Sequence, residues 1–180
     1  MTSTRSETPL LIVFLDLTRF AFQSQRLGDA EIAETVDKFY ELVGAAVAAA
    51  GGRTVKFIGD ASLIVFPEDR VDQGVQMLLD LKPAVDKFMD DIGWECRLSA
   101  KVHFGPALAG LYGAAGDKRY DVIGKTVNTA AMLDSTGVTL SVAAFRKLSP
   151  ALRKHFKKHT PPITYLRSED PRPFRRRAAL

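Results

Sequence analysis

Residues 53–66 read RTVKFIGDASLIVF. Val55 and Phe57 before the central Gly59-Asp60, and Leu63 and Val65 after it, alternate with other residues. Period-two alternation broken by a Gly-Asp pair predicts a β-hairpin, because glycine supplies the positive φ of a tight turn. Upstream, residues 10–17 read LLIVFLDL, bounded by Pro9. This short apolar run predicts a buried strand that ends in a carboxylate. Between the two stretches Ile32, Val36, Phe39, Tyr40, Val43 and Val47 recur at spacings of three and four. They predict one apolar helix face, with Asp29 as cap and Gly51-Gly52 as the stop.

Beyond the hairpin, residues 69–91 read as a second helix, with Pro83 as a kink or break. Residues 97–104 read as a strand, followed by Gly105, Gly110, Gly113 and Gly116. Further strands are predicted over 120–123, 138–142 and 163–166. A helix is predicted over 126–134, and a short helical region containing Pro150 over 143–155. No internal repeat or low-complexity linker occurs. One α+β domain over 9–168 is the economical reading, between a polar, fraying N-terminus (1–8) and a basic tail (169–180).

The chain has 180 residues, 46% hydrophobic and 26% charged. Those values exclude a disordered chain, a collagen-like chain and a disulfide mini-protein. The single cysteine, Cys96, cannot form an internal disulfide, which points to a reducing compartment. No apolar run approaches the ~20 residues that cross a bilayer. The N-terminal MTSTRSETP lacks a signal-peptide pattern, so a cytoplasmic protein without a transmembrane segment is expected. Residues 146–180 hold eleven Lys/Arg against two acids, so the +4 net charge conceals a basic end and an acidic body. An anionic partner and a solvated tail both fit that asymmetry. Nucleic acid is not expected, since Phe156 and Phe174 are too few to build a stacking surface among the basic residues.

Asp16 closes an apolar strand, and Asp60 lies at a hairpin tip. If the strands are neighbours, the carboxylates converge and can bind hard divalent cations, which accept one or two carboxylates plus substrate phosphates. Two such ions about 4 Å apart assist both the attacking and the leaving oxygen of a phosphoryl displacement. A plain turn residue (Asp60) and a helix cap (Asp16) are the alternatives the residues leave open. His103, on a strand with no second His or Cys nearby, reads as a satisfied core histidine. Cys96 reads as structural. The run GPALAG lacks the strand–GxGxxG–helix arrangement of a dinucleotide loop.

Four separated segments, FLDLTRFAFQS, VKFIGDASLIVF, KVHFGPALAGLYG and YDVIGKTVNTAAM, together resemble the class III nucleotidyl cyclase domain, in order and spacing, from about residue 9 to 166. The resemblance implies a ferredoxin-like βαββαβ core, and a homodimer with active sites at its interface. A heterodimer with another cyclase chain is the alternative. It implies Asp16 and Asp60 as ligands of two Mg²⁺ or Mn²⁺ ions. The backbone after Asp16, including Phe20, is implied to hold the triphosphate. Lys56 and Asp121 are implied to read the purine, Asn128 to orient the ribose, and Arg167 to contact phosphate. Lys56 can only donate hydrogen bonds and an ionised Asp121 can only accept them, which matches adenine and opposes guanine. The implied reaction converts ATP to 3′,5′-cyclic AMP and pyrophosphate.

Three positions depart from the family pattern. Met132 stands where an arginine usually follows the asparagine by four residues. Arg19 replaces a glycine, and Ala21 a small polar residue. Losing a preorganised donor costs on the order of 10²–10³ in rate. Either Arg19, Arg119 or Lys125 supplies that charge, or the chain is a degenerate domain that binds nucleotide or a partner chain without turnover.

Overall fold

A computed structural model describes residues 5–170. The predicted strand grows to β1 (Ser6–Thr18) and leads through a short α1 (Phe20–Ser24) into α2 (Asp29–Ala49). The hairpin forms as β2 (Arg53–Ile58) and β3 (Ala61–Pro67). A 3₁₀ turn (Glu68–Arg70) then opens α3 (Val71–Asp91). A long β4 (Arg97–Ala114) pairs back on β5 (Asp117–Ile123), followed by α4 (Lys125–Ala131). The chain continues through β6 (Val138–Ser141), α5 (Val142–Lys147), α6 (Pro150–Arg153), β7 (Phe156–His159) and β8 (Thr164–Arg167).

All eight strands join one sheet, in the order β2-β3-β1-β4-β6-β8-β7 with β5 added to β4. The first four, crossed by α2 and α3, are the βαββαβ core the resemblance implied. Side chains of β1 alternate between two apolar layers. Leu11, Val13, Leu15 and Leu17 meet Phe39 and Val43 of α2 and Leu78 and Met89 of α3. Leu10 and Ile12 point the other way and meet Leu63, Val65, Val122 and Ala130 of α4. Burying each Leu, Ile or Phe contributes about 1.5–3 kcal/mol, so β1, buried on both faces, anchors the fold.

Several expectations are corrected. Residues 6–8 do not fray; they pair with Ala107–Ala109 of β4. The remainder of the N-terminus (1–4) and the tail beyond 170 lie outside the described residues. Gly28, not Asp29, caps α2, and Asp29 lies in its first turn, where a negative charge meets the positive end of the helix dipole. Pro83 does not break α3, which runs unbroken to Asp91. Leu78, Leu81, Val85 and Met89 are buried on both sides of the proline, and that packing outweighs the ~3 kcal/mol a helix-interior proline costs. The glycine-rich stretch after residue 104 continues as strand because β1 and β5 both pair with it. The strand β7, FKKH, has no periodic signal in the sequence and exists by pairing with β8.

Candidate active site

The site begins with strand order. β1 lies beside β3 with Leu15 opposite Ser62, so Asp16 emerges next to the β2–β3 turn. That turn carries Gly59 at φ 59° and then Asp60. The Asp16 and Asp60 carboxyls stand close enough to act on each other, and the Leu17 backbone N–H acts on both. Partial burial, then the repulsion of Asp60, pushes the Asp16 carboxyl up to about 6. Burial also raises Asp60. Two hard oxygen donors held together at such a cost are a donor set suited to a divalent cation. Among the described residues no group of three or more His, Cys, Asp or Glu could hold a metal. Substrate phosphates would have to complete the coordination.

Tyr40 positions this pair, a role the sequence reading did not assign. Its hydroxyl donates to the Gly59 carbonyl at 2.5 Å, and its ring stacks on Phe57 at 3.9 Å. A residue counted as part of the apolar face of α2 therefore holds the turn that presents Asp60. An aromatic with a polar tip at the edge of that face was the available signal.

On the same hairpin, Lys56 donates to Asp121 of β5 at 2.6 Å, and the other Asp121 oxygen accepts the Val122 N–H at 2.8 Å. The two residues are 65 apart in sequence and meet because β5 folds back toward β2. Asn128 lies exposed on α4. That helix sits close to the sheet because Thr126 Oγ1 donates to the Pro106 carbonyl, and because Gly105 has no Cβ, which would stand 3.0 Å from Thr126 Oγ1. Among the described residues no side-chain hydrogen bond or ion pair links Asn128 to the Asp16–Asp60 pair or to the Lys56–Asp121 pair. Met132 is the C-cap just beyond α4 and is 83% exposed, bringing no charge to its surroundings.

The other expected residues are placed differently. The Phe20 ring packs on Trp94, 6.0 Å between centroids, so only its main chain is left to face a ligand. Arg167 is not near the carboxylates. It lies on β8, two strands beyond β4, pairs with Glu169 at 2.8 Å, and lines a cavity with Gln76 and Asp80 of α3 on the opposite side of the sheet. Arg19 holds a left-handed backbone, φ 63° and ψ 10°, a conformation that favours glycine, and its guanidinium pairs with Glu95 at 2.7 Å. Arg119 pairs with Asp117 at 3.1 Å. His103 is half-buried, its basicity lowered by burial, with Nδ1 2.8 Å from Ser141 Oγ. Cys96 is fully buried and its thiol is pushed up by burial, consistent with a structural role.

The chain belongs to the family described as adenylate and guanylate cyclase catalytic domain, whose model matches residues 3–171. It is similar to an adenylate cyclase of Anabaena cylindrica, 28% identical over 140 residues, covering 73% of this chain and 27% of that protein. It is also similar to adenylate cyclase 2 of Rhizobium meliloti, 27% identical over 153 residues, covering 78% of this chain and 42% of that protein. The chain thus spans well under half the length of these two relatives. The solved adenylyl cyclase CyaB from P. aeruginosa superposes with a TM-score of 0.81 at 16% identity, covering 95% of this chain and 99% of that one. At that identity the likeness shows the fold. Among the described residues, no helix is long and apolar enough to cross a membrane.

Proposed function

We propose that this chain is an adenylate cyclase, forming 3′,5′-cyclic AMP and pyrophosphate from ATP at a site completed by a second copy. The convergence of Asp16 and Asp60 carries the reading. The ribose 3′-oxygen attacks the α-phosphorus in line as the bond to the β-phosphate bridging oxygen breaks. The hydroxyl proton leaves to solvent, and pyrophosphate departs. Asp16 and Asp60 would hold two Mg²⁺ or Mn²⁺ ions, which would neutralise the phosphates and acidify the 3′-hydroxyl. The main chain from Leu17 to Phe20 lies alongside the triphosphate. Lys56 of the second copy gives a hydrogen bond to a ring nitrogen of adenine and Asp121 of that same copy takes one from the amino group, replacing the bond they make to each other. Asn128 of the second copy orients the ribose.

A homodimer is supported by Leu108 of β4 and Ile123 of β5, cross-strand partners whose apolar side chains are both exposed. Surfaces of this kind mark interfaces. One chain carries both halves of the site, so two equivalent sites form per dimer. The test is product analysis of the purified chain with ATP or GTP and Mn²⁺. Cyclic AMP from ATP, well in excess of cyclic GMP from GTP, is the expected result. A second reading, a cyclase-like domain that binds nucleotide or pairs with another cyclase chain without turnover, is favoured by the uncharged Met132. Binding of ATP with Mn²⁺ and no cyclic product would establish it.

A further inference from the structure

The carboxylate pair has a cationic neighbour that the sequence reading passed over. In the β1–β4 register Asp16 is opposite Ser99 and Phe14 is opposite Lys101. Lys101 is therefore the diagonal neighbour of Asp16 on the same sheet face, with backbones about 7–8 Å apart. Its ammonium donates to the Ala131 carbonyl at 3.1 Å, next to the uncharged Met132. Ala131 is the last residue of α4, where carbonyls lack helical partners. Nearby cations are committed elsewhere: Arg19 to Glu95, Arg97 to Asp90, and Lys56 to Asp121. Lys101 forms no ion pair among the described residues.

We infer that Lys101 is a phosphate-binding residue of this site: its ammonium leaves the Ala131 carbonyl and takes a non-bridging oxygen of the triphosphate held at Asp16 and Asp60. This rests on the reading of the carboxylate pair as a metal–triphosphate site. An ammonium on a four-carbon stem is a mobile point charge, and a backbone carbonyl is a partner it can exchange for a phosphate at small cost. Charge that builds on the phosphates during displacement then meets a fixed cation from the same subunit as the carboxylates, where Met132 offers none.

Lys101→Gln and Lys101→Arg test this. Glutamine keeps a donor for the Ala131 carbonyl and removes the charge; arginine keeps the charge. The expected result for Lys101→Gln is a kcat lower by about 10²-fold, weaker binding of inorganic tripolyphosphate with Mn²⁺, and Mn²⁺ binding alone unchanged or several-fold tighter because a repelling cation is gone. Lys101→Arg should stay within a few-fold of the wild type in all three. A Lys101→Gln chain with wild-type kcat and tripolyphosphate affinity would overturn the inference. So would parallel loss of Mn²⁺ binding and thermal stability, which would make Lys101 a prop for α4. If the wild type makes no cyclic product, the proposed reaction fails, yet the metal and tripolyphosphate titrations still decide the role of Lys101.

Discussion

Asp16 and Asp60 face each other at the end of β1, and the burial and mutual repulsion that raise Asp16 have a measurable sign. The folded protein keeps the Asp16 proton up to about pH 6, against an ordinary value of 3.8. The favourable contribution is therefore full below about pH 4 and is lost as the pH rises toward 6. Asp16→Asn should raise the melting temperature of metal-free protein at pH 7.5 and leave it nearly unchanged at pH 4. Mn²⁺ should stabilise the wild type more at pH 7.5 than at pH 5, where protons compete for the same oxygens. Thermal melts with chelator and with Mn²⁺ measure both, and a variant no more stable than the wild type at pH 7.5 would refute a destabilising charge on Asp16. The base readers make a second prediction. Lys56→Glu with Asp121→Lys keeps an ion pair but reverses donor and acceptor. The ratio of kcat/KM for ATP over GTP should fall at least about a hundredfold. An unchanged ratio would remove the pair from base recognition.

Packing of α2 and α3 on the sheet sets where the hairpin turn stands. Tyr40→Phe deletes the bond to the Gly59 carbonyl but leaves the ring stacked on Phe57. It should cost about 1 kcal/mol of stability and weaken Mn²⁺ binding several-fold, read by urea unfolding and metal titration; unaltered metal affinity would show that the turn holds Asp60 unaided. Glycines make a contrasting pair. A Cβ at Gly74 of α3 would stand 2.8 Å from the fully buried Phe66 ring, whereas one at Gly44 of α2 meets nothing within 4 Å. Gly74→Ala should destabilise by about 1–3 kcal/mol, and Gly44→Ala should stabilise by up to about 1 kcal/mol. Urea unfolding of the two variants distinguishes a packing constraint from a propensity effect.

Assembly makes the sharpest demand on the shared-site proposal. Asp60→Ala and Lys56→Ala chains, each inactive alone, should regain activity when mixed, because one interface of the heterodimer keeps an intact site. Absence of rescue, with heterodimers shown to form, would count against a site built from two copies. Lys101→Gln in the chain that keeps Asp60 should abolish the rescue, and in the other chain should leave it intact.

The predicted βαββ order was legible because each of its elements has a local cause: the apolar run of 10–17, the three-and-four spacing of α2, and the Gly-Asp turn. Asp16 and Asp60 were legible as candidates because both stand where an apolar strand meets a turn. Their convergence was not, since it depends on β1 entering the sheet beside β3 rather than beside β2. Lys56 meeting Asp121, Tyr40 holding Gly59, Lys101 reaching the end of α4, and Arg167 facing away from the carboxylates all depend on strand neighbours and sheet faces. Those are long-range pairings, and periodicity within one segment carries no record of them. The chain's local chemistry thus defined which groups were available for phosphate and metal. The register of eight strands chose which of those groups share a face, because only pairing converts distance along the chain into distance in space.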